Sequence, residues 1–380
     1  MNIIIAPDSF KGSCTAREAA EYIRLGVSEV YPTAEFTLLP IADGGEGTVD
    51  SLVAATGGAL VAVDTFDPLG RSITASYGLL PDGTAVVETA AASGLTLLAP
   101  QERDALRAST YGTGVLIRAA LKRGARRIIL GLGGSATTDG GMGLARALGI
   151  RFLDADGKEL SDGGAELARL ARIDASQLMP EALETEFILA CDVKNVLCGE
   201  QGAAYVFAPQ KGADAQQVRL LDSALSNYAR VLSSQFHSDA ALQPGSGAAG
   251  GIGCVFMAFF NCAVRPGIDL VLDTVGFDLL VQRADLVITG EGRLDAQSAF
   301  GKVPCGVATR TKAAKNIPVV ALGGAIGDGA DALYSCGVDA LVSAVSRVTT
   351  LDEAMRGVKE NIISSARRAA ELIRVGSLLK

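Results

Sequence analysis

The chain opens on a short, wholly apolar run, Asn2-Ile-Ile-Ile-Ala6, and its last hundred residues return three times to runs of the same kind: Asp285-Leu-Val-Ile-Thr289, Ile317-Pro-Val-Val-Ala-Leu322 and Asp339-Ala-Leu-Val-Ser-Ala-Val345. Runs this short, with no polar alternation, read as strands buried on both faces, and such strands belong to parallel sheets covered by helices. The segments between them carry helix signals. Thr15-Ala-Arg-Glu18 has capping-box spacing, in which hydroxyl and carboxylate satisfy the first free amides, and it predicts a helix to about Val30 followed by a strand from Glu35 to Leu39. A helix from about Pro304, a short one after Leu322 and a terminal one from Leu351 continue the alternation. Both chain ends are therefore expected in one doubly wound, Rossmann-like sheet, whose ligands gather at the carboxyl ends of its strands.

The middle of the chain has another texture. Hairpin-like strands are expected at Ala59 to Phe66, Ser72 to Leu80 and Thr84 to Glu88, the last two joined by Pro81-Asp82-Gly83, then a helix near Thr113 to Lys122 and a strand from Arg127 to Leu132. This predicts an inserted second α/β domain with a mixed sheet, and 380 residues suffice for two cores. The expected division is 1–62 with 275–380 for the Rossmann-like domain and 63–274 for the insertion, with the active site in the cleft between them. An uncharged stretch from Ala240 to Val264 raises the question of a membrane span. Its first half is glycine-rich and its apolar part, Ile252 to Val264, is too short for a bilayer, so a buried helix is expected there.

Composition removes several chemistries. With 34 Lys and Arg against 42 Asp and Glu, a formal charge of −8 and no basic run, the chain lacks the electrostatic footprint for nucleic acid or an anionic membrane. Seven scattered cysteines without a CxxC pair read as reduced thiols rather than a disulfide framework or a zinc site. The single histidine, His237, lies in a polar stretch, which sets aside Ser-His-Asp and Cys-His schemes unless His237 itself serves. Chemistry must rest on carboxylates, Lys, Arg and backbone amides.

Those groups concentrate in loops that follow strands. The first strand runs into Pro7-Asp8-Ser9-Phe10-Lys11-Gly12 and the second into Asp43-Gly44-Gly45-Glu46-Gly47-Thr48. Adjacent parallel strands would pair their carboxylates with a lysine and free amides, a set suited to anions and a divalent ion, although Asp and Ser also serve as plain helix caps. A third loop, Gly131-Leu-Gly133-Gly134-Ser135-Ala-Thr137-Thr138-Asp139-Gly140-Gly141, has the glycines and hydroxyls of a phosphate cradle without the Lys of a Walker A loop. Gly290-Glu291-Gly292-Arg293-Leu-Asp295 to Lys302 is expected as a loop at the same sheet edge. Asp192 and Asn195, after the apolar run Phe187 to Ala190, either ligate magnesium and hold hydroxyls or cap a turn. Gly245-Ser-Gly247-Ala-Ala-Gly250 matches GxGxxG by letter, but a polar helical stretch precedes it where a dinucleotide fingerprint needs a strand. An alternative reading as a dinucleotide-binding oxidoreductase rests on little else.

Carboxylates, basic side chains and glycine loops without a usable histidine suit phosphoryl transfer, in which the protein aligns two oxygens, neutralises charge and takes one proton from a hydroxyl. Lys11, Arg293 and Lys302 are the cations available to an anionic substrate, and the reading is a kinase of a small hydroxylated acid. Ala-Pro-Asp-Ser-Phe-Lys-Gly-Ser, Pro-Ile-Ala-Asp-Gly-Gly-Glu-Gly-Thr, Gly-Leu-Gly-Gly-Ser-Ala-Thr-Thr-Asp-Gly-Gly and Thr-Gly-Glu-Gly-Arg-Leu-Asp closely resemble the bacterial type 1 glycerate kinases, from Ile3 to the last strand. One departure is Gln297-Ser298, where that family leads one to expect Gln-Thr.

The resemblance implies ATP-dependent phosphorylation of D-glycerate with Mg2+ in the cytoplasm, as a step from glycolate, glyoxylate or sugar-acid breakdown towards glycolysis. The 2-hydroxyl is the expected position, giving 2-phosphoglycerate, with 3-phosphoglycerate as the alternative. Partners are D-glycerate and ATP, with no nucleic acid or membrane, and a homodimer is the assembly considered. Asp295 is the first choice for proton acceptor and Asp192 the second, because each follows a strand and neither has an evident capping role; Lys11 joins them as catalytic. Asp8, Ser9, Asp43, Gly44, Gly45, Glu46, Gly133, Gly134, Ser135, Thr137, Asn195, Arg293 and Lys302 are expected to bind substrate and phosphates. Asp43, Glu291 and Asp192 are expected to hold the metal.

Overall fold

The computed structural model describes residues 1–299 and 301–379. Its strands are, in chain order, β1 (Asn2–Pro7), β2 (Glu35–Leu38), β3 (Ala59–Phe66), β4 (Ser72–Leu79), β5 (Ala85–Glu88), β6 (Arg127–Gly131), β7 (Arg151–Leu153), β8 (Arg172–Asp174), β9 (Glu186–Ala190), β10 (Cys262–Arg265), β11 (Leu286–Leu294), β12 (Val319–Ile326) and β13 (Ala340–Ser343). The chain forms two compact units, Met1–Asp43 with Asp50–Thr56 and Ile268–Lys380, and Gly44–Val49 with Gly57–Gly267.

The first unit holds a five-stranded sheet in the order β13-β12-β11-β1-β2, parallel throughout. Ile3, Ile5, Ile288, Val320 and Leu322 are buried in one cluster with Ala19, Ile23, Ile362 and Ala366 from the helices Ala16–Ser28 and Val358–Ser377. Thr15 and Glu18 form the capping box that starts the first of these helices. Strand order reverses between β1 and β11, where Pro7 pairs with Gly290, so the crevice for ligands lies at the carboxyl ends of these two strands.

Here the structure corrects the expected Gly290 to Lys302 loop. β11 continues to Leu294, with Glu291 opposite Gly323 and Arg293 opposite Ala325. A Cβ on Gly290 would lie 2.1 Å from the Leu322 carbonyl oxygen, so glycine there admits the neighbouring backbone and lets the strand extend. The terminal helical region is also divided, Leu351–Arg356 and Val358–Ser377 with Gly357 between. Cys305 and Cys336, expected as thiols, form a disulfide with Cα atoms 5.3 Å apart. The five other cysteines are free.

The second unit is built on a six-stranded mixed sheet, order β10-β9-β6-β5-β4-β3. β3, β4 and β5 pair antiparallel, whereas β5, β6, β9 and β10 run parallel. β3 pairs with β4 along its whole length, from Ala59 opposite Leu79 to Phe66 opposite Ser72, which ties residues from Gly57 onward to this unit. Leu116, Leu130, Leu144, Phe187, Leu221, Tyr228 and Phe256 are fully buried in its core. β7 and β8 make a separate antiparallel pair.

The stretch expected as one buried helix over Ile252 to Val264 is a helix only at Ile252–Phe259; Cys262–Arg265 turns into β10 and pairs with β9. An open sheet edge beside β9 recruits these residues, a long-range demand that hydrophobicity alone does not reveal. Among the described residues no helix is long and apolar enough to cross a membrane.

Candidate active site

In the first unit a cavity of about 580 Å3 opens at the carboxyl ends of the strands, and it gathers Asp8, Ser9, Lys11, Asp43, Glu291, Arg293, Asp295 and Lys302, eight of the residues singled out from sequence. Asp8 follows β1 directly; its amide donates to the Gly290 carbonyl at 2.8 Å and its carboxylate accepts the Ser9 amide at 2.6 Å. The side chain is only 7% exposed. Burial, then the negative charge of Asp43 and more weakly that of Glu291, hold its carboxyl up at about 7, against the pull of the Ser9 amide and Lys11.

Glu291 is equally buried, and burial raises its carboxyl as well, opposed by the Ser298 hydroxyl and the Lys302 charge. Its Oε1 is buried without a hydrogen-bond partner among the described residues. A buried carboxylate oxygen left unpaired is costly unless something positive meets it. Among the described residues no group of three or more His, Cys, Asp or Glu is assembled to hold a metal unaided. Magnesium is commonly held by one or two carboxylates, with substrate phosphates and water completing its shell, and Asp8, Asp43 and the unpaired Glu291 oxygen fit that pattern.

Asp295 is not the uncommitted carboxylate the sequence led us to expect. It accepts the Gln297 amide at 2.9 Å, and its other oxygen lies 3.2 Å from Arg293 Nε. Arg293 is largely exposed, and Lys302 stands at the N-cap of the helix Val303–Ala314.

The second unit brings together the other glycine loops. Gly44 lies at φ +89, and a Cβ on it would be 2.8 Å from Ala190 Cβ and 2.9 Å from Gly267 Cα, so only glycine fits. The same backbone abuts the start of the third loop, where a Cβ on Gly133 would come within 2.8 Å of Gly45 Cα. Glycine in these two loops thus serves close backbone packing at the ends of β6 and β9. Glu88, at the end of β5, caps the same region by accepting the Val49 amide at 2.7 Å. Glu46 is exposed.

Part of the expected phosphate cradle is already occupied. Asp139, fully buried, accepts the amides of Gly141 and Gly143 at 3.1 Å each, and the amide and hydroxyl of Thr110 at 2.9 and 2.8 Å. Burial raises its carboxyl against all four bonds. The amides of Gly141 and Gly143 are therefore already engaged within the protein. Into the segment before Asp139 reaches Lys211, 1% exposed, whose Nζ donates to Ser135 Oγ at 3.0 Å and to the Thr137 carbonyl. Sequence reasoning passed over Lys211, Asp139 and Glu88; the only signal for Lys211 was a charged residue beside Gly212 after the apolar run Ala203 to Phe207.

Asp192 and Asn195 each make a backbone contact of the turn-capping kind. Asp192, exposed, accepts the Gly267 amide at 3.1 Å, and Asn195 Nδ2 donates to the Gln201 carbonyl at 2.7 Å. Gly245 to Gly250 follows the short 3-10 turn Ala240–Leu242 and itself ends in another, Ala248–Gly250, with no strand leading into it, so the dinucleotide fingerprint lacks its structural context.

Comparison with known proteins bears on the chain as a whole. The model of the glycerate kinase family matches residues 3–374. The chain is 47% identical to a glycerate kinase of Halalkalibacterium halodurans over 371 residues, 97% of each chain. It is 44% identical to the glycerate 2-kinase of Escherichia coli K12 over 377 residues, 99% of each. A crystal structure from Salmonella typhimurium LT2, provisionally named glycerate kinase 2, superposes with a TM-score of 0.90 at 44% identity, covering 100% of this chain and 99% of that one.

Proposed function

This chain belongs to the glycerate kinase family, and from that premise we propose that it transfers the terminal phosphoryl group of ATP to the 2-hydroxyl of D-glycerate in the cytoplasm, releasing 2-phosphoglycerate and ADP. The observation that carries this reading is the carboxylate-and-lysine cavity of the first unit, with Glu291 Oε1 buried and unpaired in it. A relative bearing the name glycerate 2-kinase supports the choice of hydroxyl.

In this reading the glycerate hydroxyl oxygen bonds to the terminal phosphorus, the bond from that phosphorus to the ADP oxygen breaks, and the hydroxyl proton passes to a carboxylate. We assign that carboxylate to Asp295, which lines the cavity, with Asp192 as the competing assignment. Lys11, Arg293 and Lys302 offset the negative charge of glycerate and phosphate, and Ser9 adds a hydroxyl donor. Asp8, Asp43 and Glu291 would hold Mg2+, with Asp192 as a further candidate ligand; the ion, when bound, neutralises phosphate charge. In the second unit, Gly133, Gly134, Ser135 and Thr137 are assigned to phosphate, while Gly44, Gly45, Glu46 and Asn195 shape the loops around it.

Phosphorus NMR of the product formed from D-glycerate and ATP tests the assignment. The expected product is 2-phosphoglycerate. Appearance of 3-phosphoglycerate would move the reaction to the other hydroxyl, and absence of any phosphorylated glycerate would end the reading.

A further inference from the structure

A lysine ammonium buried to 1% exposure inside a hydrophobic core demands a reason, because removing that charge from water costs several kcal/mol unless partners restore its interactions. Lys211 has two partners, Ser135 Oγ and the Thr137 carbonyl, and both belong to the glycine-rich loop 131–143. Their separation of 76 and 74 residues in sequence makes this a tertiary contact and not a local cap. Among the described residues, the charge that offsets its burial is that of Asp139, on the same loop.

Hydrogen-bond direction is the informative detail. An ammonium has no lone pair, so Ser135 Oγ must accept from Lys211, and its own proton is left to point elsewhere. Thr137 and Thr138, both fully buried, have hydroxyl oxygens with no partner among the described residues. One short segment therefore holds three hydroxyls with unused donor capacity, backed by a buried cation, whereas the loop's carboxylate is committed to the amides of Gly141 and Gly143. Hydroxyl donors polarised by a positive charge recognise a tetrahedral oxyanion.

We propose that Lys211 is the cation of the second unit's phosphate site, holding the 133–138 segment in place and turning Ser135 outward as a donor to a phosphoryl oxygen of a nucleoside triphosphate. The proposal rests on the kinase reading for the identity of its ligand, and on the loop geometry alone for the site. Burial draws the Lys211 ammonium down to about 7, with Asp139 opposing, so an arriving anion would also secure its proton.

The full-length wild type is compared with Lys211→Met, Lys211→Arg and Ser135→Ala by steady-state kinetics with D-glycerate and ATP, and by thermal shift with tripolyphosphate as the anion probe. Lys211→Met should lower turnover by about a hundred-fold and raise the ATP Michaelis constant by about ten-fold, with the glycerate constant within about two-fold. Lys211→Arg should recover part of this loss, and tripolyphosphate should stabilise the wild type but not the Met variant. Ser135→Ala, which leaves the lysine in place, should also raise the ATP constant, and it decides the matter if the Met variant fails to fold. A brace without contact to ligand predicts reduced unliganded stability with ATP constant and probe response unchanged, and that result overturns the proposal. If the wild type phosphorylates glycerate and all three variants keep its ATP constant and turnover, this inference falls and the kinase reading stands. If the wild type leaves glycerate untouched yet binds tripolyphosphate through Lys211, the site stands and the kinase reading falls.

Discussion

Two buried ionisable side chains, one in each unit, are displaced towards neutrality from opposite directions: Asp8 upward and Lys211 downward, each to about 7 and each chiefly by burial. For Lys211 this has a measurable consequence. Between about pH 7 and its unfolded value near 10.5, the unfolded chain binds a proton there that the folded chain does not, so the stability this group contributes rises with pH across the window and is lost as pH falls through about 7. Asp139 is the charged group facing it. From pH 7 to 9 the wild type should gain on the order of 2 kcal/mol relative to Lys211→Met, since each unit of displaced pKa is worth about 1.4 kcal/mol. Urea unfolding of both proteins at three pH values checks this, and parallel pH dependence would refute it. Asp295 poses the other residue-scale question. A general-base role predicts that Asp295→Asn lowers turnover by about a hundred-fold to ten-thousand-fold with little change in the glycerate Michaelis constant. Should Asp192→Asn show that pattern instead, with Asp295→Asn affecting only affinity, the two roles must be exchanged; the pairing of Asp295 with Arg293 makes the comparison worthwhile.

Among the elements, the β11 and β12 pair is the one most dependent on single positions. Gly290→Ala would set a methyl 2.1 Å from the Leu322 carbonyl oxygen, a backbone atom in a central strand that has nowhere to go. Overpacking of this kind typically costs about 1–3 kcal/mol, and the same strand carries Glu291 into the cavity. A lower thermal midpoint together with impaired turnover is expected, and a variant with wild-type stability would show that the strands separate more easily than this packing implies. The Cys305–Cys336 link ties the start of the helix Val303–Ala314 to the end of the short helix Ala332–Ser335. Protein prepared without reductant, unfolded and alkylated, should show five modified cysteines by mass spectrometry and seven after reduction. For a bridge closing 31 residues, reduction should cost roughly 3–4 kcal/mol in the chain-entropy view. Seven modified cysteines before reduction would return this pair to the thiols expected from composition.

For the molecule as a whole, the governing electrostatic problem is that, in the proposed reaction, a chain of net charge −8 acts on two anions. Local cations answer part of that problem, but Asp8, Asp43 and Glu291 add negative charge to the same cavity as Lys11 and Lys302. A divalent ion held as proposed would resolve the conflict. Chelation should abolish turnover and Mg2+ should restore it. Undiminished activity of enzyme shown to be metal-free by elemental analysis would leave the carboxylates without this role and Glu291 Oε1 without an explanation.

What the sequence by itself determined were features set by neighbours along the chain. The strands β1 and β12 announce themselves because an unbroken apolar run must be buried on both faces, and Thr15 with Glu18 marks a helix start because the capping box closes within four residues. The glycine motifs identified the family for the same reason, being contiguous. Two units with a parallel and a mixed sheet followed from that rhythm. Tertiary structure alone decided everything that needed a distant partner. Gly290 to Leu294 is strand because β12 lies against it, Cys262–Arg265 is strand because β9 offers an edge, and part of the expected phosphate cradle is spoken for because Asp139 folds back on the amides of Gly141 and Gly143. Lys211 could not be found by spacing at all. Its meaning lies in Ser135 and Thr137, more than seventy residues away, and a buried charge becomes legible only when the groups that compensate it are seen.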